Sequence, residues 1–422
     1  VNGLDLARIQ GFVVRGYRLP FAGYLFLRIV DAGRAGHWLA EITEDVLTAA
    51  EWEDKPKSGV NVALTFAGLS QLGLPDATLA GFPEEFRQGM AARAALLGDT
   101  GESAPERWEG ELGTPEVHVL VMISAKHPEA LMAHDRQLRA ALEQNGGLRV
   151  VYDDFGAALP EGVEHFGNAD GFAQPAIEGG PAGNLPGGGA VRSGGEWRPI
   201  RAGEFILGYE DEEDVLPIAP PPDELSCNGS FLVYRKLRQD VAAFRAMLAE
   251  AAAVYAGGEE LLAAKLVGRW RDGTPLDLSA TSPNATIVGD ALRNNAFDYS
   301  GDANGLRCPV GSHIRRANPR DSLPFEGKLV NRHRMIRRGI TYGDPLPQGS
   351  TDGADRGVLF MCLQASIARQ FEFVQSQWLG QGNTLGLGED QDVLLGPQDG
   401  EGPRKMTIPG EPPSCWARSR GW

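Results

Sequence analysis

The sequence is short of cysteine, of histidine, of positive charge and of long apolar runs. Its four cysteines, Cys227, Cys308, Cys362 and Cys415, are widely separated and show no C-x-x-C spacing. Neither a disulfide framework nor a zinc site is expected from them. No stretch approaches the roughly 18 uninterrupted apolar residues of a membrane span. The opening VNGLDLARIQGF lacks the basic, apolar and small-residue order of a signal peptide. With 40 Lys+Arg against 56 Asp+Glu the formal charge is −16, a field that repels nucleic acid and anionic membranes. What is present, 42% hydrophobic and 23% charged residues over 422 positions, describes a globular protein of two or three domain-equivalents and not a collagen, a coiled coil or a disordered chain. The expectation is a soluble, cytoplasmic protein, with no nucleic-acid or membrane partner. A start at Val1 instead of Met leaves room for an exporting leader ahead of it.

Hydrophobic periodicity orders the first half. FAGYLFLRIVDA (21–32) reads as a buried strand, and HWLAEITEDVLTAAEW as a helix, with Trp38, Leu39, Ile42, Val46 and Leu47 at helical spacing. VNVALTFAGL is a strand running into a short helix, and VHVLVMISAK, ending at Lys126, is a third strand. HPEALMAHDRQLRAALEQNGG is a helix closed by Gly146 and Gly147, and LRVVYDD a fourth strand. The order β-α-β-β-α-β is that of a ferredoxin-like unit. After Asp154 the chain turns Gly/Pro-rich, with HFGNADGFAQP and EGGPAGNLPGGGAVRSGGEWRP expected to lack regular structure. GSFLVYRKL (229–237), two helices (DVAAFRAMLAEAAAVYA and EELLAAKLVGRW), two further strands (331–343 and 357–364) and the helix SIARQFEFVQSQWLG then repeat the same loose order. The expected fold is α+β, two ferredoxin-like units packed together, spanning 1–200 and 201–422.

Few histidines mean that each can be weighed. His37, His127 and His134 lie in polar helical segments and read as solvated. His118 opens an apolar strand and reads as satisfied there, and His333, among arginines, reads as a neutral spectator or a neutral ligand. His313 differs. In RCPVGSHIRRANPRD, Pro309 and Gly311 break regular structure before it, and Arg315, Arg316 and Arg320 follow. An imidazole backed by guanidinium groups suits a metal cofactor that carries its own carboxylates, and haem is one. A basic surface loop with an incidental histidine is the plainer alternative. Asp170, between Gly167 and Gly171 in EHFGNADGFAQP, is either a carboxylate brought close to a ligand or an ordinary Asp-Gly turn. If NRHRMIRRGITYG (331–343) is a strand, His333, Met335 and Arg337 share one face, and an arginine on that partly apolar face needs an anionic partner. The alternative is strand packing with arginines that snorkel to the surface.

Taken together, IQGFVVRGY, NVALTFAGLSQLGLP, EHFGNADGFAQP, GEFILGYEDEED, NGSFLVYRKL, CPVGSHIRRANPRD, NRHRMIRRGITYG, RGVLFMCLQASIARQFEFVQSQW and DVLLG, in this order over most of the chain, resemble the dye-decolourising peroxidase family of haem proteins, in particular its larger, non-exported members. The resemblance implies one haem b per chain, held mainly by the C-terminal unit, with His313 as axial iron ligand. It implies Asp170 as the distal carboxylate and Arg337 as the distal guanidinium, with Arg334 and Arg338 as alternatives if the register differs. Asp392 in DVLLG matches the acid that backs the proximal imidazole, with Asp390 two residues away. Gly171, Val358 and Phe360 border the distal pocket, and Arg315 and Arg316 are propionate candidates. One departure is that Asn168 and Ala169 stand where the commoner family form has a bulky aromatic and an arginine.

The implied function is an oxidoreductase that reduces hydrogen peroxide and oxidises small or bulky organic donors, dyes and phenolics, by one-electron steps through a high-valent iron-oxo intermediate. A homo-oligomer is compatible with it. A haem-handling protein with little turnover and a haem-free α+β scaffold are the alternatives. Tyr299, Trp270 and Trp378 could relay electrons to bulky dyes, although packing aromatics are the simpler reading.

Overall fold

A computed structural model describes residues 3–181, 183–191, 196–323, 327–397 and 405–410; Cys415 lies outside them. The first sheet is built from β1 (Phe21–Ile29), β2 (Ser58–Leu64), β3 (Val119–Ala125) and β4 (Leu148–Ala157), in the order β2-β3-β1-β4 and antiparallel throughout. That is the strand order of a ferredoxin-like unit. Its two helices, α1 (Ala32–Ile42) and α2 (Pro128–Asn145), cover one face. Asp31 caps α1 by accepting from Arg34 N (2.9 Å), and Gly146, at φ 65°, closes α2. Helix α1 ends earlier than its apolar spacing suggests. Past Ile42 the chain makes a tight turn, and Val46 bridges to Val60 instead of continuing the helix.

The second sheet consists of β5 (Phe231–Arg238), β6 (Ile336–Arg337), β7 (Ile340–Tyr342) and β8 (Gly357–Gln364), with β8 in the centre and β5 on one side, β6 and β7 on the other. Helices α3 (Val241–Ala252) and α4 (Gly258–Val267) follow β5. The expected strand over 331–343 is broken. Residues Lys328–Asn331 make a helical turn, and β6 is separated from β7 by Arg338 and Gly339. His333 therefore lies outside the sheet, stacked on Phe373 with centroids 4.1 Å apart. The Gly-rich stretch also carries one short pairing, Ala190–Val191 with Trp197–Arg198.

Alternation along the strands assembles the core. Tyr24 and Phe26 of β1, Leu120 and Met122 of β3, Ile336 of β6 and Leu359, Met361 and Leu363 of β8 form one buried cluster, so the two sheets face each other. Leu25, Leu27 and Ile29 point the opposite way, onto Trp38, Ile42, Leu138 and Leu142 of the helices. On β8, Val358, Phe360 and Cys362 therefore face away from the first sheet. Arg337 pairs with Cys362 and, as a cross-strand partner, shares that outer face.

After β8, SIARQFEFVQSQWLG is helical as expected, but wide-turned. Glu372 N donates to Ile367 O and Gly380 N to Gln375 O, five residues back in each case, across Ala368–Glu372 and Val374–Leu379. Such widened turns recur at functional sites.

Candidate functional site

His313 is the first residue of α5 (His313–Ala317), entered through a turn in which Ser312 N donates to Pro309 O and Ser312 Oγ donates to Lys265 O (2.5 Å). Its Nδ1 donates to Asp392 Oδ2 at 3.0 Å. The other oxygen of Asp392 accepts from Leu394 N (2.9 Å) and Leu395 N (2.6 Å), which fixes the carboxylate and, through it, the plane of the ring. Asp390 takes a different task, accepting from Thr407 N and, through its carbonyl, from Arg316. Burial alone pushes the His313 pKa down, but the adjacent Asp392 charge and hydrogen bond outweigh it and hold the imidazole above its ordinary value. Burial pushes the Asp392 carboxyl up, and the imidazole and the two amides more than reverse that, leaving it below its ordinary value. Among the described residues Nε2 makes no hydrogen bond.

Two further charges converge on this imidazole, since both Arg337 and Asp170 contribute to its electrostatic environment. Asp170 is exposed, and its Oδ1 accepts from Gly171 N at 2.6 Å. Gly167 and Gly171 have φ of 89° and 88°, which only glycine adopts without strain. Arg337 is stitched to the same loop. Its N–H donates to Gln174 Oε1 (3.1 Å), its carbonyl accepts from Gln174 Nε2 (3.0 Å), and its Nη2 donates to Phe172 O (3.0 Å). Arg338, the next residue, points through the sheet to Phe12 O and Val13 O. Val358 and Phe360 share the face of Arg337, both half-buried.

Arg315 and Arg316 do not take the place expected of them. Arg315 is 1% exposed and bonded to Asp302, Cys308 O and Asp302 O, with its guanidinium 4.1 Å from the Tyr299 ring centre. Arg316, 0% exposed, donates to the carbonyls of Gly311, Trp378, Gln381 and Asp390. These two brace the loop around His313 and have no surface to offer a ligand. Arg269, Arg320, Arg334 and Arg337 are electrostatic neighbours and form no ion pair with a carboxylate among the described residues; Arg269 is held by Gly273 O, Asn294 O and Asn295 Oδ1, and Arg320 by Asn295 O, Asn295 Oδ1 and Phe297 O. Arg334 is buried, and among the described residues its guanidinium makes one hydrogen bond, a long one to Ala173 O (3.4 Å). Burial, aided by Arg320 and Arg337, pushes it down to about 9. Burial and Arg320 push Arg269 down to about 10. Cations concentrated without counter-charge fit a group that brings its own carboxylates. The donor set, one imidazole nitrogen within the electrostatic reach of a carboxylate and a guanidinium, with further arginines nearby, fits haem.

Four of the remaining histidines meet protein partners away from this site, while His37 and His127 are exposed. His118 accepts from Ile29 N and donates to Pro115 O, and His134 bonds Ser58 Oγ. His333 meets Arg369 O. His165, which the sequence reading passed over, donates from Nε2 to Tyr342 O at 2.8 Å. Trp270, Tyr299 and Trp378 are all buried packing residues.

The fold is α+β, and the donor set around His313 fits a haem-binding enzyme. Residues 8–153 match the DyP dimeric alpha+beta barrel domain and residues 208–387 the Dyp-type peroxidase C-terminal domain. The chain is 30% identical over 416 residues to the dye-decolorizing peroxidase msp1 of Mycetinis scorodonius, covering 93% of this chain and 77% of that protein. A solved DyP-type peroxidase from Auricularia auricula-judae superposes with a TM-score of 0.87 at 26% identity, over 100% of this chain and 95% of that one. A dye-decolorizing peroxidase in complex with 2,6-dimethoxyphenol superposes with a TM-score of 0.80 at 26% identity, over 93% and 89%. The chain belongs to the dye-decolourising peroxidase family, and is a haem-dependent peroxidase.

Proposed function

We propose that the chain binds one haem b, with His313 Nε2 as the iron ligand, and uses it to reduce hydrogen peroxide at the expense of phenolic and dye donors. The observation that carries this reading is the His313–Asp392 pair, set where Asp170 and Arg337 both act on the same imidazole. Arg320 and Arg334, not Arg315 and Arg316, are the partners for the propionates, and Gly171, Val358 and Phe360 border the peroxide side. Bound haem supplies the iron that accepts the oxidising power of peroxide and passes it on one electron at a time.

The chain's own groups do the proton and charge work. Asp170 takes a proton from hydrogen peroxide and returns it to the departing oxygen, so that water leaves. Arg337, anchored by Phe172 O and Gln174, offers a fixed positive charge to the oxygen that becomes negative as the O–O bond lengthens. Asp392 keeps the His313 Nδ1 proton in place, which orients the ring and makes Nε2 a stronger donor. Both Asp170 and Arg337 are superfluous to mere haem carriage, which favours turnover over haem handling. Asp170→Asn and Arg337→Leu are expected to keep the Soret band and to lose about 10²-fold or more in kcat/KM for peroxide. Unchanged peroxide kinetics in both variants would overturn the assignment.

A further inference from the structure

Asp170 has no side-chain partner among the described residues, and its carboxylate is exposed. Its position is therefore dictated by its backbone, and that backbone is a loop. The loop doubles back on itself. Glu164 N donates to Asn168 O (3.0 Å), Gly167 N to Glu164 O (2.8 Å) and Asp170 N to Gly162 O (3.0 Å), and Ala169 N donates across to Arg271 O (2.8 Å).

The Glu164 carboxylate fills its centre. Oε1 accepts from Asn168 N and Asn168 Nδ2, both at 2.8 Å, and Oε2 accepts from Phe166 N (2.7 Å) and Gln239 Nε2 (2.6 Å). We propose that Glu164, gripping Asn168 and Gln239, is the positioning residue that presents Asp170 to peroxide.

Three features support this. All four partners are donors, and an ionised carboxylate is the one side-chain group of this size that only accepts. Among the described residues the buried amide oxygens of Asn168 and Gln239 have no partners, so both amides are turned to spend their N–H groups on Glu164. Gln239 directly follows β5, and its N–H donates to the carbonyl of Arg356, the residue before β8, the strand that pairs with Arg337. The grip thus ties the Asp170 loop to the sheet that carries the guanidinium. It also gives Asn168 a role: its side chain is buried against Glu164. Displacement of a reacting group by about 1 Å can cost about 10²-fold in rate.

The inference rests on Asp170 as the proton-transferring group, and a double-mutant cycle separates the two claims. In the haem-loaded enzyme, kcat/KM for hydrogen peroxide is measured for wild type, Glu164→Gln, Asp170→Asn and the double variant. The expected result is a loss of about tenfold or more from Glu164→Gln in the wild-type background and less than about twofold in the Asp170→Asn background. No loss from Asp170→Asn would sink the reading of Asp170 itself. A normal loss from Asp170→Asn, with Glu164→Gln either harmless or equally damaging in both backgrounds, would overturn the positioning role alone. Should Glu164→Gln fail to fold, the same cycle run with Gln239→Leu, which removes one donor and leaves the backbone amides bound, decides by the same criterion.

Discussion

Arginine at this site has two fates, and the partners each guanidinium meets separate them. Arg315 lies two residues past His313 on α5, about 200° round the helix, so it points away from whatever the imidazole faces. The sequence shows a histidine followed by arginines and cannot show which way each leaves the turn. That is why Arg315 and Arg316 were the natural propionate candidates and why the buried, unpaired Arg334 was not among them. The two classes predict opposite phenotypes. Arg315→Ala leaves Asp302 buried without its ion pair and should cost about 3 kcal/mol or more of stability. Arg334→Met relieves an unpaired buried charge, so the haem-free protein should be as stable or more so, while haem affinity falls. Thermal unfolding of both apoproteins and a haem titration check this; a strongly destabilised Arg334→Met would contradict it. Asp392→Asn keeps the ring's neighbour but weakens its charge, and should raise the reduction potential of the bound haem and lower peroxide reactivity about 10- to 100-fold.

At the scale of elements, the first ferredoxin-like unit was legible because its strands alternate cleanly and its helices carry their own stops, Asp31 before α1 and Gly146 after α2. β8 was equally plain, its span Gly357–Gln364 matching the apolar run. The segment 331–343 was not. Its arginines alternate as a strand's would, yet tertiary partners override the pattern: His333 leaves the sheet to stack on Phe373, and Gly339 interrupts the pairing. Where the strand does form, the alternation holds, with Ile336 inward and Arg337 outward, and Arg338 just past it turns inward again. Gln174 replaces the missing length of ladder by bonding both backbone groups of Arg337. Gln174→Ala should therefore reduce kcat/KM for peroxide while lowering stability by only about 1–3 kcal/mol. Equal loss of donor-side and peroxide-side kinetics would argue that the contact is structural only. Such loop-to-strand ties, like the grip of Glu164, join residues far apart in the chain and leave no local sequence signal.

Across the whole molecule, the segment ahead of β5, the turn at Arg332 and the long wide-turned helix meet at an ionic box. Glu204, fully buried, accepts from Arg369 Nη2 (2.7 Å), and Asp211 accepts from Arg369 Nη1 (3.0 Å) and Arg332 Nη2 (3.3 Å). Burial pushes Glu204 up to about 7, against the pull of Arg369. A carboxyl with a folded pKa above its unfolded value favours the protonated fold. Stability from this group is full below about pH 4.5 and declines as pH rises toward 7. Glu204→Gln, which cannot ionise, should gain stability relative to wild type between pH 5 and pH 8, to be read from denaturant unfolding at both; a difference independent of pH would contradict it. No described helix is long and apolar enough to cross a membrane. The central claim, that His313 holds haem in this fold for reaction with peroxide, is tested most directly by one absorption measurement. The spectra of wild type and His313→Ala are recorded after haem supply, before and after one equivalent of hydrogen peroxide. The account predicts a Soret band in wild type that shifts on peroxide addition and is weakened or lost in the variant. A Soret band and peroxide response unchanged by the substitution would contradict it.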